Sequence, residues 1–280
     1  MAISRAQLVK ELEPGLNALF GLEYKQYENQ HSEIYTSESS DRAFEEEVML
    51  SGFANAQVKG EGSGVSFDEA QETFSARYTH ETVALAFAIT EEAIEDNLYD
   101  RIASRYTKAL ARSMSNTKQV KAVEPLINGL PTTDGFDSGD GVSLFNTAHP
   151  TIAGSYKNTL STQADLNETS LEQALIDIAA MTDERGLRIA ARGVKMIIPS
   201  ALQFTAERLM KSQGRTATAD NDINAIVSMG MVPQGYRVNN YLTDTDAFYI
   251  ITDVPNGMKM FNRAPLTTAM EGDFDTGNVR

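Results

Sequence analysis

The sequence contains no cysteine and only three histidines in 280 residues. Without cysteine there is no disulfide framework and no thiolate metal site. His31, His80 and His149 lie far apart, and none belongs to an H-E-x-x-H arrangement. A G-x-S-x-G elbow is also missing, so no Ser/His/Asp set has the context that nucleophilic catalysis needs. No stretch approaches the ~20 apolar residues of a membrane span. The opening "MAISRAQLVKELEP" carries charges throughout and lacks the apolar run of a signal peptide. Basic residues are outnumbered, 24 against 39 acidic, for a formal net charge of -15. That balance opposes a direct grip on nucleic-acid phosphates by the chain as a whole. No catalytic, cofactor-binding or metal-binding residue is predicted.

Against these absences stands a glycine cluster, "VKGEGSGVSFDEAQ" (58–71), with Gly60, Gly62 and Gly64 at alternate positions. A Walker loop would end in Lys-Ser/Thr, and a dinucleotide fingerprint would read G-x-G-x-x-G. Here Asp68 and Glu69 follow instead, and like charge repels an anion. The flanks point to mechanics. Phe74, Ala76 and Tyr78 alternate, and Val83, Leu85, Phe87 and Ile89 resume one position out of phase. This pattern predicts a long strand with a bulge or bend near His80-Glu81. Paired with "FEEEVMLSGFANAQV", it makes a hairpin over 44–89 whose arms would each reach roughly 40 Å at ~3.3 Å per residue. A two-stranded hairpin of that length has no core of its own. Its glycine tip is expected to lie on another subunit.

Residues 1–43 read as an N-terminal arm. Ser4 and Gln7 suit a capping box for a short helix that Pro14-Gly15 would break, and "NQHSEIYTSESSD" reads as extended linker. A long helix is predicted over 90–128, with Thr90 as N-cap and Pro125 and Gly129 at its far end. Tyr99, Ile102, Ala103, Tyr106, Ala109, Leu110 and Met114 form its apolar stripe. Arg101, Arg105, Lys108 and Arg112 gather on the opposite face, and a protein partner suits them better than nucleic acid. Fully helical, the segment would span about 55 Å at ~1.5 Å per residue.

Residues 129–168 are loop-rich. Asp134, Asp137 and Asp140 lack the EF-hand order and read as a solvated turn cluster; His149, before Pro150, reads as a turn or packing residue. From 169 a compact α/β unit follows. Thr169 and Glu172 suit a capping box for a helix burying Leu171, Ala174, Leu175 and Ile178. "VKMIIP" reads as a buried strand, and Ser200 as the cap of a second helix ending near Met210. "SQGRTATADND" reads as a polar mobile loop. "YRVNNYL", "AFYIIT", "GMKMFN" and "LTTAME" read as short strands.

The order of these parts, an arm, a long hairpin, a strut-like helix and an α/β unit, resembles the tailed-bacteriophage major capsid proteins of the HK97 fold. The resemblance is carried by "FANAQVKGEGSGVSFDEAQETFSARYTHETVALAFAITEEAIEDNLYDRIASRYTKALARSM", similar to an E-loop entering a spine helix. It is also carried by "LFNTAHP", similar to a segment of Mu-type head subunits, and by "FNRAPLTTAMEGDFDTGN". The resemblance implies an α+β fold with an N-arm (1–43), an E-loop (44–89), and a P-domain spine with its loops (90–168). An A-domain (169–262) and a return to the P-domain (263–280) would complete it. It implies pentamers and hexamers in an icosahedral shell around double-stranded DNA, located in the virion and assembled in the host bacterial cytoplasm. A separate scaffolding protein and a portal are implied partners, decoration proteins are left open, and a membrane is not involved. More residues after "DTGNVR" are expected, to close the P-domain sheet. The expected inter-subunit contacts are Glu46, Lys59, Gly60, Gly62, Gly64 and Glu69 on the hairpin, and Arg101, Arg105, Lys108 and Arg112 on the helix. Lys59 itself has no neighbour in sequence that would activate it for crosslinking. The alternatives are an encapsulin-like compartment, which shares the fold, and a soluble enzyme built on the 169–262 unit.

Overall fold

The computed structural model describes residues 5–90, 99–130, 137–214 and 222–271, with side chains described from residue 16 and, in the second helix, from residue 103. Helix α1 (Arg5–Gln26) runs through Pro14-Gly15, where the sequence predicts a break. It lies along α2 (Tyr99–Ile127), and such tertiary packing overrides local propensity. Phe20 is buried in this contact region and stacks on Tyr24 with ring centroids 6.1 Å apart.

The predicted linker is structured instead. A 3₁₀ turn (Gln30–Glu33) leads to strand β1 (Thr36–Ser39), and His31 and Ile34 are buried. The His31 N–H donates to Gln119 Oε1 at 3.0 Å, and the Tyr35 hydroxyl donates to the Ala122 carbonyl at 2.7 Å. These bonds hold the segment to α2.

The buried face of α2 is Ala103, Thr107, Ala111, Ser115 and Gln119, continuing to Ala122, Val123 and Leu126. Of the predicted apolar stripe only Ala103 is buried. Tyr106 and Ala109 are exposed, Leu110 and Met114 are half-buried, and Tyr99 and Ile102 lie outside the described side chains. The physical reason is the partner. A neighbouring helix packs closely on a ridge of small side chains at four-residue spacing, and larger side chains would hold it away. The predicted start at Thr90 lies next to residues outside the description. Pro125 sits in the last turn and Gly129 follows it, as predicted. A Cβ at Gly129 would stand 2.6 Å from the Pro125 carbonyl oxygen and 2.9 Å from the Phe145 ring.

The C-terminal half is built on a three-stranded sheet. Strand β6 (Gly193–Ile198) lies between β7 (Tyr236–Val238), parallel to it, and β8 (Tyr249–Thr252), antiparallel. Before it come β4 (His149–Thr151) and β5 (Gly154–Tyr156), an antiparallel pair, and α3 (Glu168–Ala179). The cap of α3 is Asn167 rather than Thr169. Asn167 Oδ1 accepts from the Ser170 N–H at 2.9 Å, and Ser170 Oγ accepts from the Asn167 N–H at 3.0 Å. After β6 a 3₁₀ turn (Ser200–Leu202) precedes α4 (Gln203–Lys211), and Ser200 makes no side-chain cap. A last short helix, α5 (Ala225–Ser228), is capped by Asn224. The predicted mobile loop falls mainly on 215–221, outside the described residues.

Alternation along β6 joins two cores. Met196 and Ile198 pack with Leu171, Leu175, Ala206, Leu209, Ile226 and Val232 under α3 and α4. Ile197, facing the other way, packs with Ile34, Val123, Leu126 and Leu242 against α2. Strand β9 (Lys259–Asn262) pairs in parallel with β1, so the end of the described chain closes on its beginning. "LTTAME" forms no strand, because no strand of the described chain pairs with it.

Candidate assembly surfaces

The hairpin consists of β2 (Phe44–Leu50) and β3 (Glu72–Thr79), antiparallel from Phe44↔Thr79 to Leu50↔Glu72, with a register shift between Val48 and Leu50. The paired arms are shorter than the sequence predicts; the bulge sits inside the hairpin, and at His80-Glu81 the strand has ended instead of continuing past a bulge or bend. The strand ends at Thr79, where His80 Nε2 lies 3.0 Å from Ser40 Oγ. The phase slip in the sequence therefore marks an exit from the sheet.

Past the strands the arms stay joined briefly. The Ser51 N–H donates to the Gln71 carbonyl at 2.9 Å, and the Ala54 N–H donates to Asp68 Oδ2 at 2.7 Å. That bond, first, holds the Asp68 carboxyl below its ordinary value. Beyond it the loop runs exposed to a turn in which the Ser63 N–H donates to the Gly60 carbonyl at 3.2 Å. Gly62, at φ +78, takes the third position of that turn, where a type II turn requires positive φ. Lys59, Gly60, Gly62, Gly64 and Glu69 are all exposed, as are the large apolar side chains of Phe53, Val58, Val65 and Phe67.

The base of the hairpin is fastened to its own subunit. Lys259 Nζ bonds Glu47, and this contact raises the lysine above its ordinary value. The Tyr78 and Phe261 rings lie 5.8 Å apart. Glu46 pairs with Arg77 across the hairpin at 3.1 Å, and the Arg77 guanidinium caps the Phe44 ring at 4.4 Å. The neck is held by Arg185. Its Nε donates to the Gly52 carbonyl at 3.2 Å, one NH2 donates to the Glu69 carbonyl, and that group stands 3.8 Å from Asp68 Oδ1. Between these fastenings an open groove of about 1770 Å³ runs beneath the hairpin, lined in part by Met49, Ala76 and Tyr249.

On α2, Arg105, Lys108 and Arg112 are exposed on one face, as predicted, and none forms a salt bridge with a described residue. The Arg101 side chain lies outside the described residues. Farther along, Lys121 bonds Glu124 and Glu81, both at 3.2 Å, which raises its pKa.

Residues 72–280 match the profile of the family described as phage capsid protein. The chain belongs to the phage capsid protein family. Among solved structures it is similar to three shells of bacteriophage JBD30. The capsid decorated with minor capsid protein trimers, computed in I4 symmetry, is 13% identical at a TM-score of 0.57, over 78% of this chain and 92% of that one. The JBD30 capsid is 12% identical at 0.56, over 77% and 91%, and the procapsid computed in I4 symmetry is 14% identical at 0.52, over 86% and 100%. Identities this low carry the fold alone. A comparison with curated proteins found no match. The protein is thus an α+β capsid protein, a structural component of the shell found in the virion.

Two features of this capsid protein escape sequence reasoning. Asp140 is not a solvated turn residue: His149 Nδ1 lies 2.7 Å from its Oδ2, both side chains are nearly enclosed, and the imidazole stacks on Tyr156 at 4.9 Å. Asp134 lies outside the described residues, and Asp137 is exposed. Arg185 left no signal either, because its hydrogen bonds go to backbone carbonyls, which any residue supplies.

Proposed function

We propose that this capsid protein is a major head subunit of the HK97 fold that assembles as pentamers and hexamers into an icosahedral shell around double-stranded DNA. In this reading 1–43 is the N-arm, 44–89 the E-loop, 90–168 the P-domain spine and its loops, 169–262 the A-domain, and 263–280 the return to the P-domain. The shell is built in the host cytoplasm with a separate scaffolding protein and a portal. A decoration protein is a further candidate partner, by analogy with the decorated JBD30 shell.

The observation that carries the reading is the hairpin. It projects a loop of exposed apolar and acidic residues that no described residue of its own subunit covers. Such a surface is stable only when a neighbour completes it. Glu46 and Glu69 on the hairpin, with Lys59 and the three glycines, are the contacts we assign to a neighbouring subunit. Arg101, Arg105, Lys108 and Arg112 on its helix are the complementary face. The charge of -15 lets such a shell surround DNA without gripping it.

Electron microscopy and light scattering of the purified protein with its scaffold test this reading. Capsomers or closed shells are expected. A cooperative monomer at micromolar concentration, with no larger species, would overturn it.

A further inference from the structure

The hairpin is joined to its subunit at two places of different kind. Its base is packed, through Glu47–Lys259 and Tyr78–Phe261. The base is packed further where Gly139 approaches Ala76, the register partner of Glu47, so that a Cβ on the glycine would stand 3.0 Å from the alanine Cβ. The neck, by contrast, rests on Arg185. Under the span between base and neck lies the open groove, and past the buried Ser51 every residue from Gly52 to Glu72 is exposed, so packing beyond Ser51 does not set the direction in which the loop leaves.

Arg185 is well prepared to set it. It occupies a turn stiffened by Asp183, whose Oδ1 accepts from the Arg185 N–H at 3.0 Å and the Leu187 N–H at 2.8 Å. The Asp183 N–H donates to the Leu187 carbonyl at 2.8 Å, and Gly186 turns the chain at φ +81. The guanidinium is largely enclosed, at 18% exposure, and reaches carbonyls on both arms of the hairpin at once. A planar fork of fixed donors suits that task, whereas a lysine ammonium offers no such fixed spread. Two carbonyls on opposite arms fix a direction, where one would leave a pivot.

We infer that Arg185 is a positioning residue for assembly: it clamps the hairpin neck and thereby aims the exposed loop at a neighbouring copy of this chain. The inference rests on the reading of that loop as an inter-subunit contact. Aiming the loop before docking lowers the ordering cost of each contact, and the contact repeats around every capsomer.

The absence of cysteine permits a direct test. Val58→Cys and Ile176→Cys, both at exposed positions, accept a pair of spin labels, and double-labelled subunits are diluted into unlabelled ones held unassembled. The parent is expected to show a narrow distance distribution between loop and body. Arg185→Ala is expected to broaden it and to lower the assembly yield by about tenfold, with the thermal midpoint nearly unchanged. Arg185→Lys is expected to fall between the two. An unchanged distribution in Arg185→Ala overturns the clamp, and a broadened one with normal assembly overturns the aiming role. Phe67→Ser separates the two readings: if it assembles normally, the loop is not a docking element, while the distances still report on the clamp.

Discussion

His31 and Glu184 are each buried with one polar atom unpaired among the described residues, His31 Nδ1 and Glu184 Oε2. Their linkage to stability has opposite sign. Burial first, then Lys118, lowers the His31 pKa, so its unfolded form binds more protons. Its contribution is present above about pH 6.5, the unfolded value, and is lost as pH falls through the lowered folded value. Burial first raises the Glu184 pKa, with Asp183 and Asp140 adding to it and the Ile152 N–H opposing. Its contribution is present below the unfolded value and is lost as pH rises through the raised one. Glu184→Gln keeps an acceptor for Ile152 and removes the buried charge. It should raise the unfolding midpoint at pH 7.5 by about 1–3 °C and leave it unchanged at pH 4. His31→Gln should lower stability overall but flatten its decline between pH 7.5 and 5.5, as chemical denaturation at each pH would show. A steeper decline in the variant would contradict this account.

Among the elements, the close approaches at two glycines and the turn at a third decide what the chain tolerates. Gly129 lets the end of α2 turn against Phe145, and the atom nearest an added Cβ is a backbone oxygen that cannot swing aside. Gly193 opens β6, and there a Cβ would meet the ends of Leu175 and Ile250 at 2.8 and 2.9 Å. Gly129→Ala should cost about 2–3 kcal/mol and Gly193→Ala about 1–2, read from urea unfolding midpoints. The reverse order would mean that the helix end is the softer site. At the hairpin tip the three glycines are not equal. Gly62 alone has positive φ, while Gly64 has open space around it and Gly60 meets only the Ser63 hydroxyl at 3.6 Å. Replacing Gly60, Gly62 and Gly64 together by Val should impair assembly with subunit expression intact, and Gly62→Val should account for most of that loss. Equal losses from Gly60→Val or Gly64→Val alone would remove the turn from the explanation.

For the whole molecule the charge arrangement is the lever. The acids of 41–72 outnumber Arg42 and Lys59, but the structure already engages several within the subunit: Glu46 with Arg77, Glu47 with Lys259, and Asp68 near Arg185. Exposed pairs of this kind contribute ~1 kcal/mol or less each. Arg105 and Arg112 are exposed on α2 and form no salt bridge with a described residue, which leaves them open to the proposed neighbour. Replacing both by Glu should weaken assembly, more at low salt than at high, where charges are screened within a Debye length of ~8–10 Å. Adding Glu46→Lys and Glu69→Lys to that chain should recover part of the yield, and light scattering across a salt series reads both effects. Assembly of the Arg105/Arg112 variant at the parent's level in low salt would sink the pairing.

How much of this was legible in the sequence depends on whether the partner of each residue lay nearby along the chain. Period and turn signals place the C-terminal end of α2, α3, β6, β8 and β9 near their observed bounds, because those signals are local. The exposure of Arg105, Lys108 and Arg112 and the turn at Gly62 were readable for the same reason: a charge seeks water, and a tight turn asks for glycine. The continuation of α1 through Pro14-Gly15, the small-residue face of α2, the ordering of residues 29–41 and the enclosure of Asp140 were not. Each of these is settled by another element: α2 for the first and third, α1 for the second, and β4 with β5 for the last. Arg185 is the limiting case, since its hydrogen bonds go to two backbone carbonyls across a hairpin, and its charged neighbour Asp68 lies more than a hundred residues away in sequence. The sequence by itself determined which segments are helix, strand and charged face, because those follow from neighbours along the chain. Only the tertiary structure decided which faces are buried and where the hairpin is tied, because burial and long-range hydrogen bonds exist only once distant segments meet.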